Sequence, residues 1–427
     1  MELMSLQFSI ISRVQNLGYN QSMETQRLKN NRVLYAFYEK LLSISTTLLL
    51  FYNILRKSPR NSCVYILHQG GFGNIPMQAD LFLRYKCKEG YVALLYTPGR
   101  HNPTIRKLYS HRLFAINRSR LFWKFREERV AVELSAIRWL KCIFSIALLR
   151  RSIWQLSDIK PIAHNLGINV DGESRFWPQK LWYLSAPRSH EFTPDVRYCF
   201  PEEYRIIEER VPGKSCALYL RKKGSPKKFS DFSRNGKTLA EYKLLIEELA
   251  CLDRVILLYG DVTDSEIESC TQSEVVITYK KMGIKKHVWD VLAPLFSDFT
   301  IGSSGGGLQV PISAGKKILL LDAFGYWNWF PNTLHSFKTV VDHDGVTINP
   351  INYLIHDNEM SLLESLIVQL SPPALDIRIL HEFLPLLQNW PSIDNFTRKI
   401  QHESLVHYAP GALISKEWKK WNHILQK

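Results

Sequence analysis

Apolar runs of membrane-spanning length are missing from this 427-residue chain. The longest candidate, residues 41–55 (LLSISTTLLLFYNIL), has 15 residues, where a spanning helix needs about 20. Cysteine is sparse as well. Cys63, Cys87, Cys142, Cys199, Cys216, Cys251 and Cys270 contain no CxxC pair, and their number is odd. That argues against a disulfide frame and a cysteine zinc site. With no recognisable signal peptide, the expectation is a reducing cytoplasm. No GK[ST] closes a glycine loop, which excludes a Walker ATPase, and no GxGxxG follows a strand. Repeats at solenoid spacing and low-complexity tracts are absent too, which argues against a solenoid.

What the chain does have is core-forming material and an uneven charge. Hydrophobic residues make up 45% and aromatics 12%, enough for two or three domains. The formal net charge is +15. Residues 1–211 hold 31 Lys and Arg against 17 Asp and Glu, a net of +14; the remainder holds 24 against 23, a net of +1. An anionic partner for the first half is implied: nucleic acid, an anionic membrane surface, or an acidic acceptor. Arg32 to Lys57 reads as an amphipathic or packed helix touching a membrane surface. Ile105 to Arg129 interleaves eight cations, among them Arg118, Arg120, Lys124 and Arg126, with Tyr109, Phe114, Phe122, Trp123 and Phe125. That mixture suits a lipid interface, stacked single-stranded nucleic acid, or an ordinary solvated helix face.

Two strand–glycine turn–helix–strand units follow the basic start. In the first, the strand Cys63 to His68 ends in Gln69-Gly70-Gly71-Phe72-Gly73-Asn74, a helical pattern runs from Met77 to Tyr85, and the next strand is Tyr91 to Tyr96. That strand ends in Thr97-Pro98-Gly99 without the acidic residue that holds a ribose in NAD sites, which counts against NAD. Residues 130–155 look helical. The stretch 156–211 reads as loops and short elements, with a linker near Val211-Pro212-Gly213.

The second unit has apolar strands at Cys216 to Leu220, Arg254 to Tyr259, Val275 to Tyr279, Phe299 to Ile301 and Ile318 to Leu321. Helices fit Thr238 to Leu252 and His287 to Phe296. Continuous apolar strands alternating with helices imply a parallel sheet covered on both faces. After Phe299 to Ile301 comes Gly302-Ser303-Ser304-Gly305-Gly306-Gly307, with Gln309 at the start of the next helix. Glycines let backbone approach a phosphate, and amides at a helix start can point at it. The strand Cys216 to Leu220 runs into Arg221, whose planar fork matches phosphate oxygens, and Arg234 and Asn235 lie in the loop beyond.

These motifs carry a resemblance. Gly70-Gly71-Phe72-Gly73-Asn74 with Gln78 four residues on resembles the glycine loop that opens many GT-B-like transferases. The Tyr219-Leu220-Arg221 strand end, the Ser233-Arg234-Asn235-Gly236 loop and the 302–307 loop add to it. Together they resemble a bacterial family of GT-B-like glycosyltransferases of surface-carbohydrate biosynthesis, over about residues 60–340. The likeness to fucosyltransferases is more distant: they carry His-x-Arg where this chain has Tyr219-Leu220-Arg221, so only the arginine carries over.

The resemblance implies an α/β protein of two facing Rossmann-like domains, to which the residue pattern adds a helical N-terminal extension (1–60) and a helical tail (381–427). Residues 61–211 would form the acceptor side and 212–380 the nucleotide-sugar side. It implies transfer of a sugar from a nucleotide-sugar donor to a surface-glycan or lipid-linked acceptor; the cysteines and the basic first half add the expectation of a cytoplasmic protein peripheral to the membrane. Donor contacts would come from Gly71, Gly73, Asn74, Gln78, Arg221, Arg234, Asn235, Gly302, Ser303, Ser304, Gly305, Gly306, Gly307 and Gln309. The expected base is His101 or Asp80, with His68 and His111 as further choices. No cofactor or metal is expected, because arginines and helix N-termini balance the diphosphate charge. Asp342-His343-Asp344-Gly345 matches a metal-holding D-x-D but reads more simply as a turn. The alternatives are a basic nucleic-acid-binding protein, which leaves two glycine loops unexplained, and a non-catalytic nucleotide- or sugar-binding scaffold.

Overall fold

The computed structural model describes parts of residues 40–56, then 62–67, 77–81, 92–96, 103–108, 113–115, 138–144, 151–154, 156–168, 181–182 and 196–211. It also describes 213–346 and 367–421, except 222–235, 271–272, 324–329, 343, 393–394, 396 and 399–410. Contacts divide the chain into two compact units. The first comprises residues 1–68, 86–99 and 112–155; the second comprises 69–85, 100–111 and 156–427. Residues 156–210 therefore group with the second unit.

The first unit holds a parallel sheet in the order β3-β2-β1-β4. Its strands are β1 (Ser62–Leu67), β2 (Val92–Tyr96), β3 (Leu113–Ala115) and β4 (Arg151–Trp154). Two of these differ from the sequence reading. Residues 138–144 are helical as expected of 130–155, but 151–154 form an edge strand. Ile105 to Arg129 is not one continuous helix. The helix is Pro103–Leu108, and Leu113–Ala115 is a strand beside β2. Short strands with one neighbour carry too few residues for a period-2 pattern to show.

The second unit holds seven parallel strands in the order β13-β10-β9-β8-β5-β6-β7. They are β5 (Ser215–Leu220), β6 (Val255–Gly260), β7 (Val276–Ile277), β8 (Phe299–Gly302), β9 (Lys317–Ala323), β10 (Thr333–Phe337) and β13 (Leu413–Ile414). A small antiparallel pair, β11 (Thr339–Val341) with β12 (Ile367–Gln369), stands apart. All six residues of β5 and all four of β8 are buried, as a sheet covered on both faces requires. Cover comes from amphipathic helices. Lys286–Phe296 buries Val288, Trp289, Val291, Leu292 and Leu295 at helical spacing. The Trp289 indole donates to the Leu258 carbonyl at 2.7 Å. Pro373–Leu386 contributes Phe383, whose ring meets Phe299 at 5.2 Å.

Three local outcomes depart from the sequence reading here. The strand expected at Val275 to Tyr279 stops at Ile277, because Thr278 caps a new helix turn by accepting from the Lys281 amide. The tail is not only helical, since its Leu413–Ile414 supplies the edge strand beside β10. β10 itself, TLHSF, mixes polar residues into a buried strand and gave no apolar run to read.

Candidate functional site

The chain enters the seven-stranded sheet at β5, winds outward through β6 and β7, then returns to the other side of β5 with β8 and continues to β9 and β10. The strand order reverses between β5 and β8. In an open parallel sheet the crevice beyond the carboxyl ends of the strands at such a point is where ligands bind. Arg221 follows β5 and the glycine loop follows β8, so the fold itself brings the two sequence motifs together.

The glycines have a reason that the sequence did not disclose. Tyr219 lies opposite Gly302 in the β5–β8 register. A Cβ on Gly302 would stand 2.7 Å from the Cβ of Tyr219, one on Gly305 2.6 Å from its hydroxyl, and one on Gly307 2.3 Å from its ring. The loop folds over a tyrosine ring, and three of its glycines leave room for that tyrosine. Tyr259 stacks behind at 5.2 Å, and its hydroxyl donates to the Gly307 carbonyl at 3.4 Å. Burial pushes both phenols above their ordinary pKa.

Other features of the loop point outward from packing to binding. Nη1 of Arg221 donates to the Ser304 carbonyl at 3.0 Å, which fixes the loop to the end of β5. Gly236, where the chain returns from residues 222–235, lies against Ser303: a Cβ there would meet its Oγ at 2.3 Å. Ser304 is 5% exposed and Gln309 9%, yet Ser304 Oγ and Gln309 Oε1 have no hydrogen-bond partner among the described residues. Unsatisfied buried polar atoms are costly, and a site that awaits a polar ligand is one explanation of them. The helix Gln309–Ser313 has only five residues, so its dipole adds little.

Beside the loop lies an ionic cluster that the sequence reading missed. Lys237, 2% exposed, pairs with Asp322 at 3.0 Å and donates to Asp376. Asp322, one residue before the end of β9, has φ +55°, and its Oδ1 accepts from the Ser371 amide at 2.6 Å. Burial opposes the charge of Lys237, but Asp322 and Asp376 overcome it and hold its pKa up. Burial lifts Asp376 from an ordinary 3.8 to about 7, against the pull of Lys237. Burial also lowers the fully covered Lys338 from 10.5 to about 8; Asp322 opposes this, and Arg221 and Lys237 reinforce it. An aspartate ending an apolar strand and a lysine next to the SRNG loop were the available signals. Neither residue type is diagnostic alone.

The remaining candidates are dispersed. Gln78 is buried. Asp80 is buried too, and its Oδ2 accepts from the Trp182 indole at 2.6 Å, which gives this carboxylate a packing task and little access to an acceptor. His68, Gly71, Gly73, Asn74, His101, His111, Arg234 and Asn235 lie outside the described residues. Asp342 forms the turn that the sequence suggested. Its Oδ1 accepts from the amides of Asp344 and Val346 at 3.0 and 2.8 Å, with Gly345 at φ +78°. No cluster of metal-holding side chains occurs among the described residues.

No protein-family model matches this sequence, and no curated protein does. Solved structures show a partial likeness. The family 9 glycosyl transferase of Veillonella parvula shares 11% identity over 64% of this chain and 85% of its own, with a TM-score of 0.38. The ADP-heptose LPS heptosyltransferase II of E. coli shares 11% over 71% and 97%, with a TM-score of 0.37. The E. coli heptosyltransferase WaaC, solved with ADP-2-deoxy-2-fluoro heptose, shares 11% over 62% and 88%, with a TM-score of 0.35. Likeness of that degree decides neither fold nor reaction for this chain, so the functional argument rests on its own residues.

Proposed function

We propose that this chain is a glycosyltransferase that binds a nucleotide-sugar donor at the β5–β8 switch point and passes the sugar to a surface-glycan or lipid-linked acceptor. One observation carries the reading. An arginine fork is anchored on a glycine loop whose buried Ser304 hydroxyl and Gln309 carbonyl lack partners among the described residues, at the crossover where open parallel sheets take ligands. Transfer breaks the bond between the anomeric carbon and the donor's phosphate oxygen and forms a bond from an acceptor hydroxyl, whose proton passes to a base. Arg221 would balance the charge gathering on the departing diphosphate. Ser304 and Gln309 would take hydrogen bonds from or to the donor, with Arg234, Asn235, Gly71, Gly73, Asn74 and Gln78 as further donor contacts. His101 remains the preferred base. The acceptor is assigned to the basic first unit.

A second reading, a nucleotide-binding scaffold without turnover, is favoured by one fact: Asp80, the other candidate base, is covered and bonded to Trp182. Titration calorimetry with nucleoside diphosphates tests the first step. Binding that is lost in folded Gly306→Val supports the site, and equal affinity in that variant sinks it. Release of free sugar from a bound donor then separates an enzyme from a scaffold.

A further inference from the structure

Among the described helical residues within 40–56, two polar side chains are buried while four large apolar ones are exposed. Ser43, Thr47 and Ile54 share one face and are buried, and the Thr47 hydroxyl donates to the Ser43 carbonyl at 2.7 Å. Ile44, Leu48, Tyr52 and Leu55 occupy the adjoining face and are 55%, 50%, 48% and 37% exposed. At 3.6 residues per turn they form a stripe about 80° wide. A helix that faces only water and its own core turns its apolar side inward and its polar side outward. Here two polar residues are inside and four large apolar ones outside.

A neighbouring helix exposes apolar surface as well. Phe51 lies between the two faces, and its ring meets Phe144 at 5.3 Å. The helical residues 138–144 that carry Phe144 also carry Trp139, 59% exposed, next to the exposed Arg138. Lys40 and Arg56, both exposed, stand near the two ends of the stripe. Of the ten large apolar side chains exposed among the described residues, five lie on these two helices. Single exposed apolar residues are ordinary, whereas a contiguous set rimmed by charge marks a docking surface.

Charge selects the occupant. The first unit holds 20 Lys and Arg against 7 Asp and Glu, a net of +13. A second copy would bring the same charge against it. A nucleic acid would meet the charge but leave isoleucine and leucine in water. An anionic bilayer meets both needs: apolar side chains enter the headgroup boundary, an indole sits at that level, and cations face the lipid phosphates. No helix among the described residues is long and apolar enough to cross a membrane. We propose that Ile44, Leu48, Tyr52, Leu55 and Trp139, rimmed by Lys40, Arg56 and Arg138, dock this chain on an anionic lipid surface without spanning it. This does not depend on the donor-site reading, and its test uses no nucleotide.

The test is co-sedimentation of the full chain with vesicles of phosphatidylglycerol and phosphatidylcholine, and with phosphatidylcholine alone. The expected result is pelleting with the anionic vesicles that weakens as salt rises. Ile44→Ser with Leu48→Ser, at exposed positions, should weaken it tenfold or more while the melting temperature holds. Trp139→Ser should weaken it by a smaller factor. A wild-type chain that stays in the supernatant overturns the proposal, including the case in which residues 1–39 cover the stripe. So does equal pelleting of the double serine variant, which would mean that charge alone acts. A dimer in light scattering that the serine variant dissociates would assign the stripe to a second copy. Oligonucleotide binding that the same variant loses would assign it to nucleic acid.

Discussion

The four-stranded unit carries a net charge of +13 and the seven-stranded unit, with 35 Lys and Arg against 33 Asp and Glu, a net of +2. The near-neutral unit places charge inside. Lys237, Asp322, Asp376 and Lys338 are all buried near the glycine loop. The basic unit does the opposite, exposing an apolar stripe and keeping Ser43 and Thr47 covered. Charge in the first unit can act at long range on any anionic surface, screened over about 8 Å at physiological salt. Charge in the second is fixed by geometry and acts only on neighbours. The difference separates a surface that attracts from a site that positions.

Four experiments would break or sharpen this contrast. The largest effect is expected from Lys237→Met, which leaves Asp322 and Asp376 facing each other without the cation that pairs with both. Removing one partner from a buried ion pair costs about 3–5 kcal/mol. Chemical denaturation checks it. Adding Asp322→Asn and Asp376→Asn should return part of the loss, and no recovery would mean that Lys237 acts through packing alone.

Next comes Arg221→Ala, expected to lower donor turnover about a hundredfold, with a smaller change in donor affinity, if the guanidinium acts on the leaving group. Arg221→Lys should rescue only part, because the fork is lost. Steady-state and binding measurements on the same preparations decide it. A parallel fall in affinity and rate would make Arg221 only a clamp on the Ser304 carbonyl.

Gly307→Ala should destabilise the second unit by about 1–3 kcal/mol, the usual cost of overpacking. Its Cβ would lie 2.3 Å from the Tyr219 ring. In a Tyr219→Leu background the same change should cost less. Additive losses in that double-mutant cycle would free the glycine from the tyrosine and return it to a ligand.

The most gradual effect, small per pH unit, is a pH dependence. Asp376 binds its proton more tightly folded than unfolded, so stability falls as pH rises from 3.8 to about 7. Lys338 binds its proton less tightly folded, so stability rises from about 8 to 10.5. Each slope is at most about 1.4 kcal/mol per pH unit. Unfolding curves for Asp376→Asn should flatten the first arm and leave the second. An unchanged first arm would mean that the carboxyl ionises as it does in water.

The strands β5, β6, β8 and β9 were legible because each is a run of apolar residues, as a sheet covered on both faces demands. β4, β10 and β13 were not. RSIW and TLHSF mix charged or polar residues into sheet positions, and Leu413–Ile414 is two residues long. Their strand character comes from a neighbour's ladder rather than from their own pattern. Arg221 and the 302–307 loop were found as separate motifs, and Tyr219, the residue that explains three of the glycines, was only part of a string.

By itself the sequence determined the parallel α/β class of the second unit, the strand ends where polar chemistry would gather, and the bias of cations toward the first half. These follow from local periodicity and composition, which are properties of neighbours in the chain. Only the tertiary structure decided that the loop after β8 folds over a ring from β5, that Lys237 meets Asp322 and Asp376, and that Ile44, Leu48, Tyr52 and Leu55 face outward. Lys237 and Asp376 stand 139 residues apart, and no local pattern encodes a pair at that separation. Their meeting is set by strand order and by the cost of leaving a buried charge alone.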